Sequence, residues 1–230
     1  MQEMKILITG GSGTLGKELI RLLESTNHDI QYPTSSEMNV VDEKQVTKTI
    51  SEVKPDLVIH SAAYTDVRGA ENNIEDALDV NVVGTCNIVK ACSLNKTRLA
   101  FISSDYVFDG ENGPYKTTDP INPLTKYAKS KGASELVARM YERTLTIRTS
   151  FFKHTFPYEK AFDDQWSSKD YIDIIAPKIL EKCLSEDIGI VHCGSRRRTI
   201  FDIAKDRKPD IKRMSRKDIN FTTPKDTSLL

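Results

Sequence analysis

Short runs of β-branched and aliphatic residues alternate with longer stretches of helical period, and no other feature of this chain restricts its fold as strongly. The runs predict strands at 4–9, 29–32, 56–60, 98–103, 144–149 and 188–192. The stretches between them predict helices at 14–24, 43–53, 71–95, 125–141 and 171–184. Most of the strands are continuous apolar runs, as is typical of strands covered on both faces. Repeated strand–helix–strand units connect through right-handed crossovers, so the sequence predicts a doubly wound parallel sheet of the α/β class.

The balance of charge excludes some roles for the chain. Its 230 residues carry 33 Lys and Arg and 33 Asp and Glu, which argues against a protein that coats nucleic acid or an anionic membrane. Residues 196–230 hold 11 of the basic residues against 5 aspartates, and we interpret this stretch as a solvated terminus. The first ten residues contain only a short apolar run, too short for a signal sequence or a membrane span. We therefore expect a cytoplasmic protein without nucleic-acid or membrane partners.

The cysteines and histidines do not form a pattern of metal ligands. Cys86, Cys92, Cys183 and Cys193 show no C-x-x-C spacing, so neither a zinc site nor a disulfide framework is predicted. The four histidines are dispersed along the chain. His60 ends a predicted strand, and we interpret it as a packed or hydrogen-bonded side chain. We predict no metal.

A glycine-rich turn, Gly-Gly-Ser-Gly-Thr-Leu-Gly, follows the first predicted strand and opens the first helix. Gly10, Gly13 and Gly16 have the spacing G-x-x-G-x-x-G. A positive φ angle and a close approach of the backbone to a ligand both favour a residue without a Cβ. The N–H groups at the start of a helix favour a pyrophosphate. The turn therefore predicts a dinucleotide site, with a purely structural turn as the alternative.

The end of the second predicted strand bears on the choice of cofactor. Enzymes that use NAD usually carry an acid there, which binds the 2′-hydroxyl of the ribose. The segment 30–37 reads Ile-Gln-Tyr-Pro-Thr-Ser-Ser-Glu, with no acid at the strand end itself. The hydroxyls of Thr34 and Ser35 can donate to a 2′-phosphate, so the segment favours NADPH over NADH.

A Tyr-x-x-x-Lys string lies at the start of the fourth predicted helix. The i, i+4 spacing places Tyr127 and Lys131 on one face, one turn apart. A free phenol has a pKa near 10 and is a poor acid–base group at neutral pH. A neighbouring ammonium, together with the positive nicotinamide of an oxidised cofactor, stabilises the phenolate, so we expect Lys131 to help lower the pKa of Tyr127. Such a string is common by chance, and alone it would be read as structural.

Two further polar residues support a catalytic interpretation. Ser104 follows the strand 98–103, at the carboxyl edge of the sheet where open α/β folds bind ligands. Its hydroxyl can donate to a substrate carbonyl. Asn81 lies within the long predicted helix 71–95, where we expect it to kink the helix and hold a water molecule. We predict Ser104, Asn81, Tyr127 and Lys131 as the catalytic set.

Several stretches of the chain resemble the extended short-chain dehydrogenases, and within them the dTDP-4-dehydrorhamnose reductase family. They are ITGGSGTLGKEL, EMNVVD, KPDLVIHSAAYTDVRGAE, DVNVVGT, FISSDYVFDGENGPYKTTDPINPLTKYAKSKGASE and TIRTSFF. Together they cover most of residues 4–152. SDYVFDG followed by P-x-N-P-L-x-x-Y-x-x-x-K is specific for these nucleotide-sugar 4-reductases, and a final PKDTSLL is a weaker match.

The resemblance implies a role for particular residues. It assigns the pyrophosphate to Gly10, Ser12, Gly13, Thr14, Leu15 and Gly16. It places Asn39 and Val40 beside the adenine, and it places beside the nicotinamide ribose Ala62, Ala63, Tyr64 and Thr65. Tyr127 is the implied proton donor, and Lys131 orients the ribose. Asp105 and Phe151 are the implied sugar contacts, together with Ser104.

The resemblance also implies a domain organisation and a reaction. Residues 1–150 would form an NAD(P)-binding Rossmann domain. Residues 151–230 would form a substrate-binding lobe that interleaves with the core. This lobe is shortened, because the chain between residues 150 and 164 is shorter than the family pattern. The implied reaction is NAD(P)H-dependent reduction of the C4 ketone of a 4-keto-6-deoxy nucleotide sugar. The alternative is a non-catalytic NAD(P)-binding regulatory subunit on the same fold, and in either case the resemblance allows a homodimer.

Overall fold

The computed structural model describes residues 3–230, and its centre is a six-stranded parallel sheet. The strands of the chain are β1 (Lys5–Thr9), β2 (Asp29–Gln31), β3 (Leu57–His60), β4 (Arg98–Ile102), β5 (Thr144–Thr149), β6 (Phe151–Phe152), β7 (Lys160–Phe162), β8 (Trp166–Ser167), β9 (Asp170–Tyr171), β10 (Gly189–Cys193), β11 (Arg198–Thr199) and β12 (Lys212–Met214). The central sheet has the order β10-β5-β4-β3-β1-β2, and every neighbouring pair in it is parallel. All six predicted strands are present and form this sheet.

Helices cover both faces of the sheet. They are α1 (Thr14–Leu23), α2 (Glu43–Val53), α3 (Val67–Asn72), α4 (Ile74–Ala77), α5 (Gly84–Asn95), α6 (Lys126–Ala138), α7 (Ile172–Leu184) and α8 (Ile200–Lys205). Side chains of α1 and α7 pack with the sheet into one apolar core. Side chains of α2 and α5, with the end of α6, form a second core on the opposite face. The predicted doubly wound α/β sheet is confirmed: helices cover both faces, and the four inner strands β1, β3, β4 and β5 are buried between these two layers.

The long helix predicted at 71–95 is interrupted. It divides into the last residues of α3, the short α4, a π-helical turn at Leu78–Val83, and α5. Asn73 has extended backbone angles, φ −134° and ψ 96°, between α3 and α4. Asn81 lies in the π-helical turn and is 1% exposed. Turns of this kind are frequent at functional sites, and this one brings Asn81 to the loop that follows β3.

Helix starts follow ordinary capping chemistry. The Asp42 carboxylate accepts hydrogen bonds from the amides of Lys44 and Gln45 at the start of α2. The Thr125 hydroxyl accepts one from the amide of Ala128 at the start of α6. Such caps satisfy amides that have no partner within the helix. The cap at Thr125 sets the register of α6 and hence the faces on which its polar residues lie.

The chain after residue 150 contributes to the core as well as to a small lobe. Strand β10 pairs with β5 at the edge of the central sheet, and α7 packs into the core beneath it. The small lobe consists of three two-stranded pairs, β6 with β9, β8 with β11, and β7 with β12. Its own apolar cluster includes Phe156, Tyr171 and Phe201. Among residues 3–230 there is no helix with the length and apolar character needed to cross a membrane.

Candidate active site

A cleft of about 840 Å³ runs along the carboxyl ends of β1, β3, β4 and β5. The glycine-rich turn after β1 forms one end, and residues of the small lobe form the other. The predicted residues that line it are Gly10, Ser12, Gly13, Thr14, Leu15, Gly16, Ser35, Asn39, Val40, Ala62, Ala63, Thr65, Ser104, Asp105, Tyr127, Lys131 and Phe151. The cleft therefore gathers most of the predicted site, since the carboxyl ends of parallel strands meet at one edge of the sheet.

The glycine-rich turn is built so that side chains would not fit. Gly10 has φ +72°, and a Cβ there would lie 2.6 Å from the amide nitrogen of Ala62. A Cβ on Gly16 would lie 2.2 Å from the carbonyl oxygen of Gly10. Gly13, the N-cap of α1, has no side chain to cap the first amides of the helix. The turn thus presents backbone N–H groups to the cleft, a geometry that suits a pyrophosphate.

The segment after β2 places Ser35 and Asn39 at the cleft, whereas Thr34 faces elsewhere. The Thr34 hydroxyl donates to Oε2 of Glu37 at 2.8 Å, and its amide donates to the same oxygen at 2.7 Å. These bonds lower the pKa of Glu37, so its carboxylate is ionised at neutral pH. The structure therefore places the Glu37 carboxylate in this turn. The Thr34 hydroxyl, which we expected to donate to a 2′-phosphate, donates to Glu37 instead.

Asn81 and Tyr64 form a structural link behind the cleft. Oδ1 of Asn81 accepts the Tyr64 amide at 2.8 Å, and Nδ2 donates to the Tyr64 carbonyl at 3.1 Å. Nδ2 also donates to Oγ of Ser130 on α6 at 2.8 Å. Neither Asn81 nor Tyr64 lines the cleft. Asn81 joins the loop after β3 to the helix that carries Tyr127 and Lys131.

Ser104 and Tyr127 face one another in the middle of the cleft. Burial raises the pKa of Tyr127 well above its ordinary value. The Ser104 hydroxyl opposes this shift, and the charge of Asp105 adds to it. The expectation that Lys131 lowers this pKa is wrong for the structure, because loss of solvent around the phenol penalises the phenolate. Tyr127 is accordingly a protonated phenol at neutral pH.

The Lys131 ammonium is held at the end of β4. Nζ donates to the carbonyl oxygen of Ile102 at 2.8 Å and lies 4.6 Å from the centre of the Phe101 ring. Burial lowers the pKa of Lys131 to about 8, and the carboxylate of Glu135, one turn further along α6, opposes the shift. Lys131 thus lines the cleft as a cation that titrates slightly above neutral pH.

Asp105 is a buried carboxylate beside Ser104, with only 1% of its surface exposed. Burial raises its pKa, while the charge of Lys169 and a hydrogen bond from Thr227 lower it. The sequence interpretation singled out neither of these partners. Lys169 lines the substrate end of the cleft, and the PKDTSLL match near the C-terminus was the available signal for Thr227.

His60 is a packed histidine with two hydroxyl partners. Nδ1 lies 2.7 Å from Oγ1 of Thr9, and Nε2 lies 3.1 Å from Oγ1 of Thr85. Burial and the charge of Lys131 lower its pKa to about 3, so the ring is neutral. Within residues 3–230, no three His, Cys, Asp or Glu side chains come together as metal ligands would.

The sheet order, the glycine-rich turn and the cleft define a protein of the Rossmann-like α/β class. The family model described as RmlD substrate binding domain matches residues 4–162, so the chain belongs to this family. The resemblance to the dTDP-4-dehydrorhamnose reductase family is thereby confirmed.

Two relatives and one solved structure illustrate the membership. The chain is 33% identical over 192 residues to dTDP-4-dehydrorhamnose reductase of Aggregatibacter actinomycetemcomitans, a match that covers 81% of this chain and 65% of the relative. It is 31% identical over 192 residues to methionine adenosyltransferase 2 subunit beta of Bos taurus, covering 72% of this chain and 57% of the relative. The crystal structure of dTDP-4-dehydrorhamnose reductase from Bacillus anthracis in complex with NADP superposes with a TM-score of 0.91. That likeness covers 100% of this chain and 91% of the other at 24% identity, and it shows the shared fold.

Proposed function

We propose that the protein is an NAD(P)H-dependent oxidoreductase that reduces the C4 ketone of a 4-keto-6-deoxy nucleotide sugar. The observation that carries the proposal is the convergence of Ser104, Tyr127 and Lys131 on one cleft whose other end is the glycine-rich turn. Membership in the RmlD family supports it. So does the name of the Aggregatibacter relative, although the match spans 65% of that protein.

The cofactor end of the cleft fits a dinucleotide. A pyrophosphate would lie against the backbone of the turn formed by Gly10, Gly13 and Gly16, which is so tight that a Cβ on Gly10 or Gly16 would lie 2.6 or 2.2 Å from neighbouring backbone atoms. The adenine would lie beside Asn39 and Val40. NADPH is our preferred cofactor over NADH, with Ser35 at the cleft as the hydroxyl that faces a 2′-phosphate.

The chemistry assigned to the side chains follows from their protonation. A bound NAD(P)H supplies the hydride for the carbonyl carbon. Tyr127, held as a phenol by burial, donates its proton to the carbonyl oxygen as the C–O double bond becomes a single bond. Ser104 donates a hydrogen bond to the same oxygen, and such pre-positioned donors stabilise the charge that develops in the transition state. Lys131 orients the ribose.

The remaining assignments follow from the same proposal. Residues 1–150 would bind the cofactor, and 151–230 would supply the substrate lobe together with strand β10 of the central sheet and helix α7. Phe151 and Asp105 line the cleft at the end where the sugar would lie. We propose the cytoplasm as the compartment, in keeping with four free thiols, and a homodimer as the assembly that the resemblance allows.

A second function has one observation in its favour. The similarity to methionine adenosyltransferase 2 subunit beta is 31% identity over 72% of this chain. A regulatory subunit could keep the cofactor end of the cleft without using Ser104 and Tyr127 for turnover. Both functions therefore predict binding of the cofactor, and only the oxidoreductase predicts turnover of a sugar.

The deciding experiment follows NADPH absorbance with a panel of dTDP-, UDP- and GDP-linked 4-keto-6-deoxy sugars. If the protein is an oxidoreductase, NADPH is oxidised in the presence of at least one sugar. The Tyr127→Phe variant should then oxidise NADPH no faster than in the absence of sugar. Calorimetry measures NADPH binding in parallel. If the protein binds NADPH but oxidises it with none of the sugars in the panel, the function as a regulatory subunit is supported and the proposed enzyme activity is contradicted.

A further inference from the structure

The C-terminal segment, residues 224–230, packs beside the cleft, and its central residues 226–228 are buried. The Trp166 amide donates to the Lys225 carbonyl at 2.8 Å, and the Thr227 amide donates to the Trp166 carbonyl at 3.1 Å. The Tyr115 amide donates to the Ser228 carbonyl at 2.7 Å. Thr227 is 2% exposed and Ser228 is 0% exposed. The segment is therefore held like a strand between β8 and the loop at Tyr115, and it is not a solvated tail.

Within this segment, Thr227 makes the closest side-chain contact with Asp105 from a position 122 residues further along the chain. Oγ1 of Thr227 donates to Oδ2 of Asp105 at 2.9 Å. Oγ of Ser167 approaches the same oxygen at 3.4 Å, and Oγ of Ser104 approaches Oδ1 at 3.4 Å. A hydrogen bond to an ionised acceptor is roughly twice as strong as one between neutral groups. The hydrogen bond from Thr227 is the shortest of these three contacts.

The charged and titratable groups around Asp105 are few. Lys169 faces it from the loop before β9, and its Nζ lies 4.9 Å from the ring centre of Phe152 and 5.4 Å from that of Tyr106. Tyr106 and Tyr127 face it as neutral phenols whose pKa values are raised by burial. Lys169 and the hydroxyls of Thr227, Ser150 and Ser104 oppose the rise in the pKa of Asp105 that burial causes, and burial remains the largest influence.

We propose that Thr227 is a positioning residue: its hydroxyl holds the Asp105 carboxylate, so that the free lone pairs of that carboxylate face the cleft and accept a hydroxyl of the sugar. The C-terminal segment is then part of the substrate site. This inference rests on the proposed function for the identity of the substrate as a sugar. The placement of the carboxylate does not depend on the proposed function, because it is argued from the contact between Thr227 and Asp105.

The test removes the hydroxyl and keeps the shape of the side chain. Thr227→Val is expected to raise KM for the keto sugar about tenfold, with kcat and the NADPH Kd nearly unchanged. Because the lost hydrogen bond favoured the ionised form, the acid limb of kcat/KM should move to higher pH. Thr227→Ser restores the hydroxyl and should restore both values. Thr223→Val is the matched control, since Thr223 lies near this segment and accepts a hydrogen bond from Gln165 at 2.9 Å.

A second readout does not depend on turnover. In protein labelled with ¹³C-aspartate, the carboxyl signal of Asp105, assigned with the Asp105→Asn variant, reports its pKa directly. Thr227→Val should raise that pKa by about one unit, and Thr223→Val should leave it in place. If the pKa shifts in this way but the protein turns over no keto sugar, the positioning role of Thr227 is supported. The absence of turnover then contradicts the proposed activity.

Three results would overturn the inference. One is a Thr227→Val variant that keeps both the wild-type KM and the wild-type pKa of Asp105. Another is a Thr227→Ser variant as impaired as Thr227→Val, because a packing role would not be rescued by the hydroxyl. An equal effect of Thr223→Val on KM would likewise show that general loosening near this segment, and not the bond to Asp105, is responsible.

Discussion

Glu135 lies one helical turn beyond Lys131 on α6, and its fully buried carboxylate joins α6 to β5 and to the residue that follows β4. Oγ of Ser103, next to Ser104, donates to Oε2 at 2.7 Å. Nη2 of Arg148 on β5 donates to Oε1 at 2.7 Å, and both side chains of this ion pair are at most 1% exposed. The same carboxylate favours the charged form of Lys131. Stability and the charge in the cleft are therefore coupled through one side chain.

Loss of the charge at Glu135 should be costly. Glu135→Gln leaves the buried guanidinium of Arg148 without its counter-charge, and breaking such a pair destabilises a protein by about 3–5 kcal/mol. Urea unfolding at neutral pH measures the change. Glu142→Gln, on an exposed side chain of the same segment, should change stability by less than about 0.5 kcal/mol. Equal stability of the two variants would contradict the coupling.

The affinity for NADPH should depend on pH through Lys131. Its pKa is lowered from 10.5 to about 8, so the ammonium is present below that pH and is lost as the pH rises through it. We expect the NADPH Kd to increase across this interval. Lys131→Met should bind more weakly and show no such dependence, whereas the exposed Lys129→Met should behave as the wild type. Fluorescence titrations from neutral to alkaline pH measure the NADPH Kd of each variant. If the Kd of Lys131→Met depends on pH as that of the wild type does, a group other than Lys131 is responsible.

Removal of the phenol hydroxyl at Tyr127 should separate catalysis from binding. Tyr127→Phe is expected to lower kcat by about 10²–10⁴-fold, the usual contribution of a positioned acid, and to leave the NADPH Kd unchanged. Tyr141→Phe is the control, because that hydroxyl donates to the Thr97 carbonyl at 2.9 Å and lies away from the cleft. Steady-state kinetics on an accepted sugar decide the matter; wild-type turnover by Tyr127→Phe would exclude the phenol as proton donor.

A methyl group at Gly16 should close the dinucleotide site. Its Cβ would lie 2.2 Å from the carbonyl oxygen of Gly10, which is backbone and can yield only by opening the turn. Gly16→Ala should weaken NADPH binding by at least about tenfold. Gly189→Ala introduces strain at φ +87° but meets nothing within 4 Å, and should lose stability with an unchanged Kd. Calorimetric Kd values compare the two, and intact binding by Gly16→Ala would remove the turn from the site.

An acid introduced at Ser35 should reverse the preference between cofactors. Ser35 lines the cleft, and a carboxylate there accepts the 2′-hydroxyl of NADH and repels the 2′-phosphate of NADPH. Ser35→Asp is expected to shift the ratio of the two Kd values toward NADH by about tenfold or more. Ser36→Asp, whose native hydroxyl contacts Thr34 at 2.9 Å and does not line the cleft, is the control. Equal shifts in both variants would reflect net charge alone.

The central sheet and the cofactor end of the cleft were predictable because their signals are local. Apolar runs, helical periods and the glycine-rich turn are each contained in a few neighbouring residues. The carboxyl ends of parallel strands then bring Gly10, Ser104 and Tyr127 to one edge without further information. The long helix at 71–95 was predicted less well, because the contacts of Asn81 with Tyr64 and Ser130 are remote in sequence.

From the sequence alone come the doubly wound α/β class, the family, the glycine-rich turn and the Ser104, Tyr127 and Lys131 set. Only the tertiary structure showed that Thr34 faces Glu37, that the Tyr127 pKa is raised, and that Thr227 contacts Asp105. The physical reason is that local patterns encode secondary structure and its order. Burial and contacts between distant segments instead determine protonation states and the orientation of side chains, and both arise only when the chain is folded.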